Sequence, residues 1–149
     1  MADYQLAQLN IAQMRYDTEA PEMADFVGNL DLINAMADSS PGFVWRLQDE
    51  EGNATAFRPF GDDMLVNISV WEDMESLRQF VFKTAHSDIM KRRAEWFDRM
   101  ESDYLVLWWV PAGHTPDEAE AGEKLEILRR EGPGPQAFTF RNPFDAPGS

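Results

Sequence analysis

A chain of 149 residues in which 44% of the side chains are hydrophobic is enough for one globular domain with a real core. Thirteen basic against 27 acidic residues leave a net charge of −14, a field that repels phosphate backbones and anionic membrane surfaces, so nucleic acid is not an expected partner. The absence of cysteine excludes disulfides and thiolate chemistry, and the two histidines have no zinc-ligand spacing.

The N-terminus MADYQLAQLN lacks a basic region followed by an apolar run, and nowhere do about 18 apolar residues occur together, which leads to the expectation of a soluble cytoplasmic protein. QLAQLNIAQ then alternates, with Ala7, Leu9 and Ile11 on one face and Gln8 and Asn10 on the other, the period of a half-buried strand. After Pro21, the positions Met23, Phe26, Val27, Leu30, Ile33 and Ala37 fall at helical spacing until Ser39-Ser40-Pro41-Gly42 stops the run. GFVWRLQ is a second strand, with Phe43, Trp45 and Leu47 opposite Val44, Arg46 and Gln48, and EEGN is a polar turn.

MLVNISVW is the third strand. Asp73 is a plausible N-cap for a helix carrying Met74, Leu77, Phe80 and Val81, and Ser87 for a second one with Met90, Ala94 and Phe97 on a stripe and Trp96 beside it. DYLVLWWVP is nearly all apolar, as a strand buried on both faces would be. Thr115-Pro116-Asp117-Glu118 reads as a capping box with proline at the first helical position, Arg129 and Arg130 suit the far end of that helix, and Gly132 to Pro135 ends it. AFTFRNPF is a short fifth strand or a docked arm. One domain over residues 1–144 is expected, with 145–149 as a disordered or vector-derived tail.

This order predicts an α+β, ferredoxin-like subunit: an antiparallel sheet with helices on one face. If Val66, Ile68 and Val70 face the helices together with Ala7, Leu9 and Ile11, the uncovered face carries Gln8, Asn10, Val44, Arg46, Asn67, Ser69 and Trp71. Either Leu105, Leu107 and Trp109 or Tyr104, Val106 and Trp108 join it. Such a face is too apolar for water and too polar for a plain core, and two copies around a shared interior would resolve the conflict, so a homodimer is expected.

LAQLNIA, SPGFVWRLQDEEGNAT, LVNISVWEDMESLRQFVFKTAHSDIMKRRAEWF, YLVLWWVPAGHTP and AFTFRNPF together resemble the family grouped as domain of unknown function 3291, within the dimeric α/β-barrel superfamily that includes the antibiotic-biosynthesis monooxygenases. The resemblance covers about Leu6 to Phe144. It implies a ferredoxin-like subunit, a dimeric α/β barrel and a ligand cavity between sheet and helices. Members of the superfamily include cofactor-free oxygenases, haem-degrading monooxygenases, haem peroxidases and non-catalytic ligand-binding modules. The cofactor-free quinone-forming oxygenases use an asparagine and a tryptophan four apart on a pocket-facing strand, which Asn67 and Trp71 resemble. The haem-degrading relatives use an asparagine, a tryptophan and a histidine in an order that Asn10, Trp71 and His86 resemble, although the interval from Trp71 to His86 is longer here.

Each of these residues also has a plainer reading. Asn67 is either a solvated strand amide or an inward one kept for a partner, because an unpaired buried amide costs about 1 to 3 kcal/mol. Trp71 is packing or an indole donor inside a cavity. His86 is a capping or core histidine, or a general base able to take a phenolic or enolic proton. Arg46 holds an anionic oxygen of a substrate or pairs with a carboxylate. His114 is read as loop structure and Lys91-Arg92-Arg93 as a solvated helix face. No Gly-rich phosphate loop, serine nucleophile elbow or metal cluster is present in the sequence.

The resulting expectation is a cofactor-independent oxygenase or cyclase of secondary metabolism acting on an aromatic or polyketide-like substrate. Asn67, Trp71 and His86 are its catalytic candidates, and Gln8, Asn10, Arg46, Ser69, Trp96 and Trp109 its substrate-binding candidates. The alternatives are a non-catalytic ligand-binding or regulatory module and a haem-binding monooxygenase.

Overall fold

The segment Leu6 to Ile11 cannot remain a lone strand: its odd side chains are aliphatic, its even ones mixed, and each set needs neighbours across a sheet. The computed structural model describes residues 4–16, 20–47, 64–83, 93–98 and 104–147. In chain order the elements are β1 (Tyr4–Met14), a 3-10 turn (Pro21–Met23) leading into α1 (Ala24–Asp38), β2 (Phe43–Arg46), β3 (Met64–Trp71), α2 (Met74–Lys83), a short α3 (Arg93–Trp96), β4 (Phe97–Asp98), β5 (Leu105–Pro111) and α4 (Glu118–Glu131), followed by a C-terminal arm.

β1 is central. β3 pairs with one of its edges, with Leu9 opposite Ile68, Gln8 opposite Ser69 and Leu6 opposite Trp71. β5 takes the other edge from Tyr4 to Asn10, and β4 adds Gln13–Asp98 and Met14–Phe97 beyond it. β2 extends the sheet outside β3, and every pairing is antiparallel. The antiparallel α+β, ferredoxin-like fold expected from the sequence is therefore present.

The barrel is not. The sheet is open, running from β2 through β3 and β1 to β4 and β5, and β2 at one end does not meet β5 at the other. The reason lies in how the two faces are covered. Ala7, Leu9, Ile11, Val66, Ile68, Val70, Val106, Trp108 and Val110 make a continuous aliphatic face whose cover is α4, through Ala121, Leu125 and Leu128. On the opposite face Leu6, Trp71 and Leu107 pack with Ala37 of α1, Leu77 and Phe80 of α2, and Phe138 of the arm. The ferredoxin-like helices α1 and α2 thus lie over part of the mixed face rather than over the aliphatic one, and among the described residues neither sheet face is left bare as a whole. The packing argument for a shared interior lapses with it.

Three local departures have simple causes. A bulge between Phe43 and Trp45 breaks the alternation of β2, so Phe43 joins the mixed-face cluster, Trp45 and Leu47 join the aliphatic one, and Val44 is left exposed. The cap of α4 is Asp117, two residues after the expected Thr115: its Oδ1 accepts from the Glu120 amide at 2.8 Å. Phe97 continues β1's pairing instead of lying on a helix. At the α1–β2 turn Gly42 has φ 81°, and a Cβ there would collide with the Ser76 side chain, so this glycine lets the turn seat directly against α2. The arm is docked rather than a full strand. Leu107 and Phe138 exchange two backbone hydrogen bonds of 2.8 and 2.9 Å, and the Trp109 indole donates to the Phe144 carbonyl at 2.8 Å.

Candidate functional site

Strand register sets the mixed face out in rows. One row runs Phe43, Trp71, Leu6, Trp109; the next runs Arg46, Ser69, Gln8, Leu107; the third holds Asn67, Asn10 and Leu105. The first row is sealed. Trp71 is 1% exposed, with Phe80 stacked on it at a centroid separation of 5.2 Å and the Phe43 ring edge-on at 5.4 Å. At the third row the face is open: Asn67 is exposed, and Asn10 and Leu105 are half-buried.

Between these extremes lies a chain of hydrogen bonds. The Trp71 indole donates to Ser69 Oγ at 2.8 Å; Gln8 Nε2 donates to the same Oγ at 2.8 Å and to Asn67 Oδ1 at 2.5 Å. Gln8 and Ser69 are buried, so these bonds offset the desolvation of two polar groups that would otherwise be costly. The arrangement has a direction. With its Oδ1 held by Gln8, the exposed Asn67 amide presents its Nδ2 hydrogens away from the network, toward whatever occupies the open row.

Four of the nine residues marked from the sequence, Gln8, Asn67, Ser69 and Trp71, are therefore joined in one network, and Asn10 faces Asn67 across the β1–β3 ladder. Arg46 shares the Ser69 row, but its guanidinium forms a two-point pair with Asp38 of α1, Nε to Oδ1 at 2.8 Å and a terminal nitrogen to Oδ2 at 3.2 Å. Trp109 borders the sealed row, with its indole bonded to the arm. Trp96 is elsewhere, in a core at the end of β1 with Met14, Met23 and Phe26, its ring 5.5 Å from Phe26. By strand rise that is roughly 13 Å along β1 from Asn10. His86 lies outside the described residues.

Haem does not fit the described residues. The Trp71 ring has one face stacked on Phe80 and Phe43 against it, which leaves no open surface for a planar macrocycle. Among the described residues no three histidine or acidic side chains are grouped so as to hold a metal ion. His114 sits in the loop before α4, where its Nε2 is 2.6 Å from Glu120 Oε1, while the other oxygen of that carboxylate accepts from the Trp108 indole at 2.9 Å. That trio belongs to the aliphatic side of the sheet.

Sequence reasoning passed over Arg78 on α2. Its Nη2 donates to the Phe140 carbonyl at 3.3 Å, and its Nε is buried without an acceptor. A signal was available: Arg78 follows Met74 by four positions and precedes Val81 by three, which puts a cation on the apolar stripe of the helix.

Among solved structures, a protein of unknown function from Nitrosomonas europaea superposes with a TM-score of 0.50 at 11% identity, over 77% of this chain and 95% of that one. SnoaB, a cofactor-independent oxygenase from Streptomyces nogalater, gives 0.49 at 18% identity, over 78% of this chain and 100% of that one. A dabb family protein with a ferredoxin-like fold from Mesorhizobium loti gives 0.45 at 11%, over 73% and 99%. At 11% identity the likeness to the first of these is one of fold alone. No functionally curated protein matches the chain, and no described helix is long and apolar enough to cross a membrane. The family described as a domain of unknown function, DUF3291, matches residues 5–149, nearly the whole chain and all the strands and helices above, and the chain belongs to it.

Proposed function

We propose that the chain is a small-molecule enzyme, a cofactor-independent oxygenase or cyclase that acts on an aromatic or polyketide-like substrate over the mixed face of its sheet. The observation that carries this reading is the bonding of Asn67 Oδ1 to buried Gln8, which orients an exposed amide donor at the open row. A donor fixed before substrate arrives can stabilise an oxyanion without reorganising when charge develops. In this reading the first step is removal of a phenolic or enolic proton, with His86 as the base, and the Asn67 amide holds the resulting oxygen anion. Oxygenation and cyclisation share that step. Trp71 acts indirectly, because its N–H is bonded to Ser69 Oγ: it anchors the network and does not touch the substrate. A cytoplasmic location belongs to the same reading, and a homodimer would form through surfaces other than the two covered sheet faces.

The test is aerobic incubation with a panel of hydroxylated polycyclic aromatics, followed by oxygen uptake and product mass. Turnover is expected, and Asn67→Ala should lower it by about 10²- to 10³-fold with the melting curve unchanged. Equal turnover by Asn67→Ala would remove the oxyanion role.

A binding module without turnover is the second reading. The burial of the Trp71 ring and the engagement of its N–H favour it, since they leave one fewer donor for chemistry. Ligand binding without consumption across the panel would bring it forward.

A further inference from the structure

The C-terminal arm is held unevenly along its length. Its base is fixed: Ala137 and Phe138 are buried, and Phe138 exchanges two backbone hydrogen bonds with Leu107. Because that bridge is antiparallel, the chain leaving Phe138 heads beside β5 toward Leu105, at the margin of the open row. It then reverses in a turn closed by the Asn142 amide on the Thr139 carbonyl at 3.2 Å, and Phe144 comes back to the Trp109 indole. Beyond the base the cover thins. Phe140 and Phe144 are half-buried, and Arg141, Asn142 and Pro143 are exposed.

The seat of the turn is also poorly compensated. The Phe140 carbonyl is a neutral acceptor for the Arg78 guanidinium, bonded to Nη2 at 3.3 Å, while Arg78 Nε is shut off from solvent and meets no acceptor. A buried donor left unpaired is costly, more so on a charged group, and lifting the turn off the guanidinium would let water satisfy it. A buried base and a costly tip make a hinge whose fixed end is Phe138. We propose that the turn at residues 139–142 is the lid of the open row, and that Phe140 is the aromatic wall it brings onto a ligand held by Asn67. This rests on the small-molecule reading above and adds to it a residue that selects for ring size. From Leu105 through Asn10 to Asn67 are two strand spacings, about 10 Å, which suits two or three fused rings lying between the amide donor and the lid.

Trypsin reads the lid directly, because Arg141 lies in the turn and cleavage after it releases residues 142–149, a fragment identified by its mass. The initial rate of release follows the open population when opening is fast relative to cleavage. With 2-naphthol as the probe and its binding followed by isothermal titration, a concentration of about ten times Kd should slow release about 10-fold, as for a ligand that binds the closed state. Arg78→Met strips the unpaired donor from the seat and should slow release about 3- to 10-fold without ligand, the lost bond to Phe140 included. Phe140→Ala keeps the backbone of the turn and should weaken 2-naphthol binding about 3- to 10-fold. Asn67→Ala should weaken binding too, but leave ligand-free release unchanged. Binding of 2-naphthol with release unchanged or quickened, faster release from Arg78→Met, or full affinity in Phe140→Ala would overturn the lid and leave the enzyme reading standing. Lid closure on 2-naphthol with no turnover across the aromatic panel would remove the enzyme reading and keep the lid, and no binding of 2-naphthol at millimolar concentration would overturn both.

Discussion

The two faces of the sheet solve the same burial problem by different means. The aliphatic face is covered among the described residues by α4, whose Ala121, Leu125 and Leu128 join Ala137 and apolar side chains of β1, β3 and β5 in one buried cluster. The mixed face is closed by pieces, α1, α2 and the arm, over a floor in which Gln8 and Ser69 are buried only because they bond to each other and to their neighbours. Area removed from water governs the first, and it tolerates replacement of one aliphatic side chain by another of similar volume. Donor and acceptor geometry governs the second. A fully satisfied polar network fixes one arrangement of its members, which makes that face the candidate for a site.

Four substitutions would sharpen or break this contrast, from the largest effect to the smallest. Leu9→Ala opens a cavity at the centre of the aliphatic face, where Leu9 is fully buried, and should cost about 2 to 5 kcal/mol in urea unfolding while leaving the activity of the folded fraction unchanged. Gln8→Met keeps the volume but strips the donor from both Ser69 Oγ and Asn67 Oδ1. It should cost about 1 to 3 kcal/mol and, unlike Leu9→Ala, lower turnover more than stability. Asp117→Ala removes the cap of α4 and should cost about 1 kcal/mol, read as a lower melting temperature with no change in ligand binding. Trp71→Phe preserves a ring on Phe80 but deletes the indole donor to Ser69 along with part of a buried ring; loss of that hydrogen bond alone is expected to cost about 0.5 to 1.5 kcal/mol. If Gln8→Met and Leu9→Ala gave the same ratio of activity to stability, the distinction between the faces would fail.

Much of this architecture can be read from periodicity. The odd and even positions of QLAQLNIAQ and LVNISVW separate into the two faces the structure contains, and the apolar run of β5 does have both sides buried. What periodicity does not carry is which face a helix covers. Polarity alone points to the helices between the strands lying on the aliphatic side, because the two bonds that bury Gln8, to Ser69 and to Asn67, link residues 61 and 59 apart in the chain and are invisible along either strand. The role of α4 was missed for a related reason: a C-terminal amphipathic helix shows that it has an apolar face, not what the face meets. The bulge that sends Phe43 to one side and Trp45 to the other has no local mark, since FVWR alternates smoothly. Within the site, the pair Asn67 and Trp71 was legible by spacing on one strand, whereas Trp96 was drawn in by residue type alone and sits in a different core.

The docking of Phe138 on Leu107 has a consequence for how the molecule behaves in a crowd. A strand whose outer amides and carbonyls are unclaimed invites a neighbour to continue the sheet, and a protein with such a margin on both flanks can be extended without limit. Here the two backbone bonds between Leu107 and Phe138 claim the middle of the β5 margin, and β2 on the far flank has no strand beyond it among the described residues. One available margin permits at most a pair, whereas two permit a filament. Removing the chain from Ala137 onward would convert the first situation into the second, and thioflavin fluorescence of that shortened protein should rise with time under conditions where the full chain stays clear.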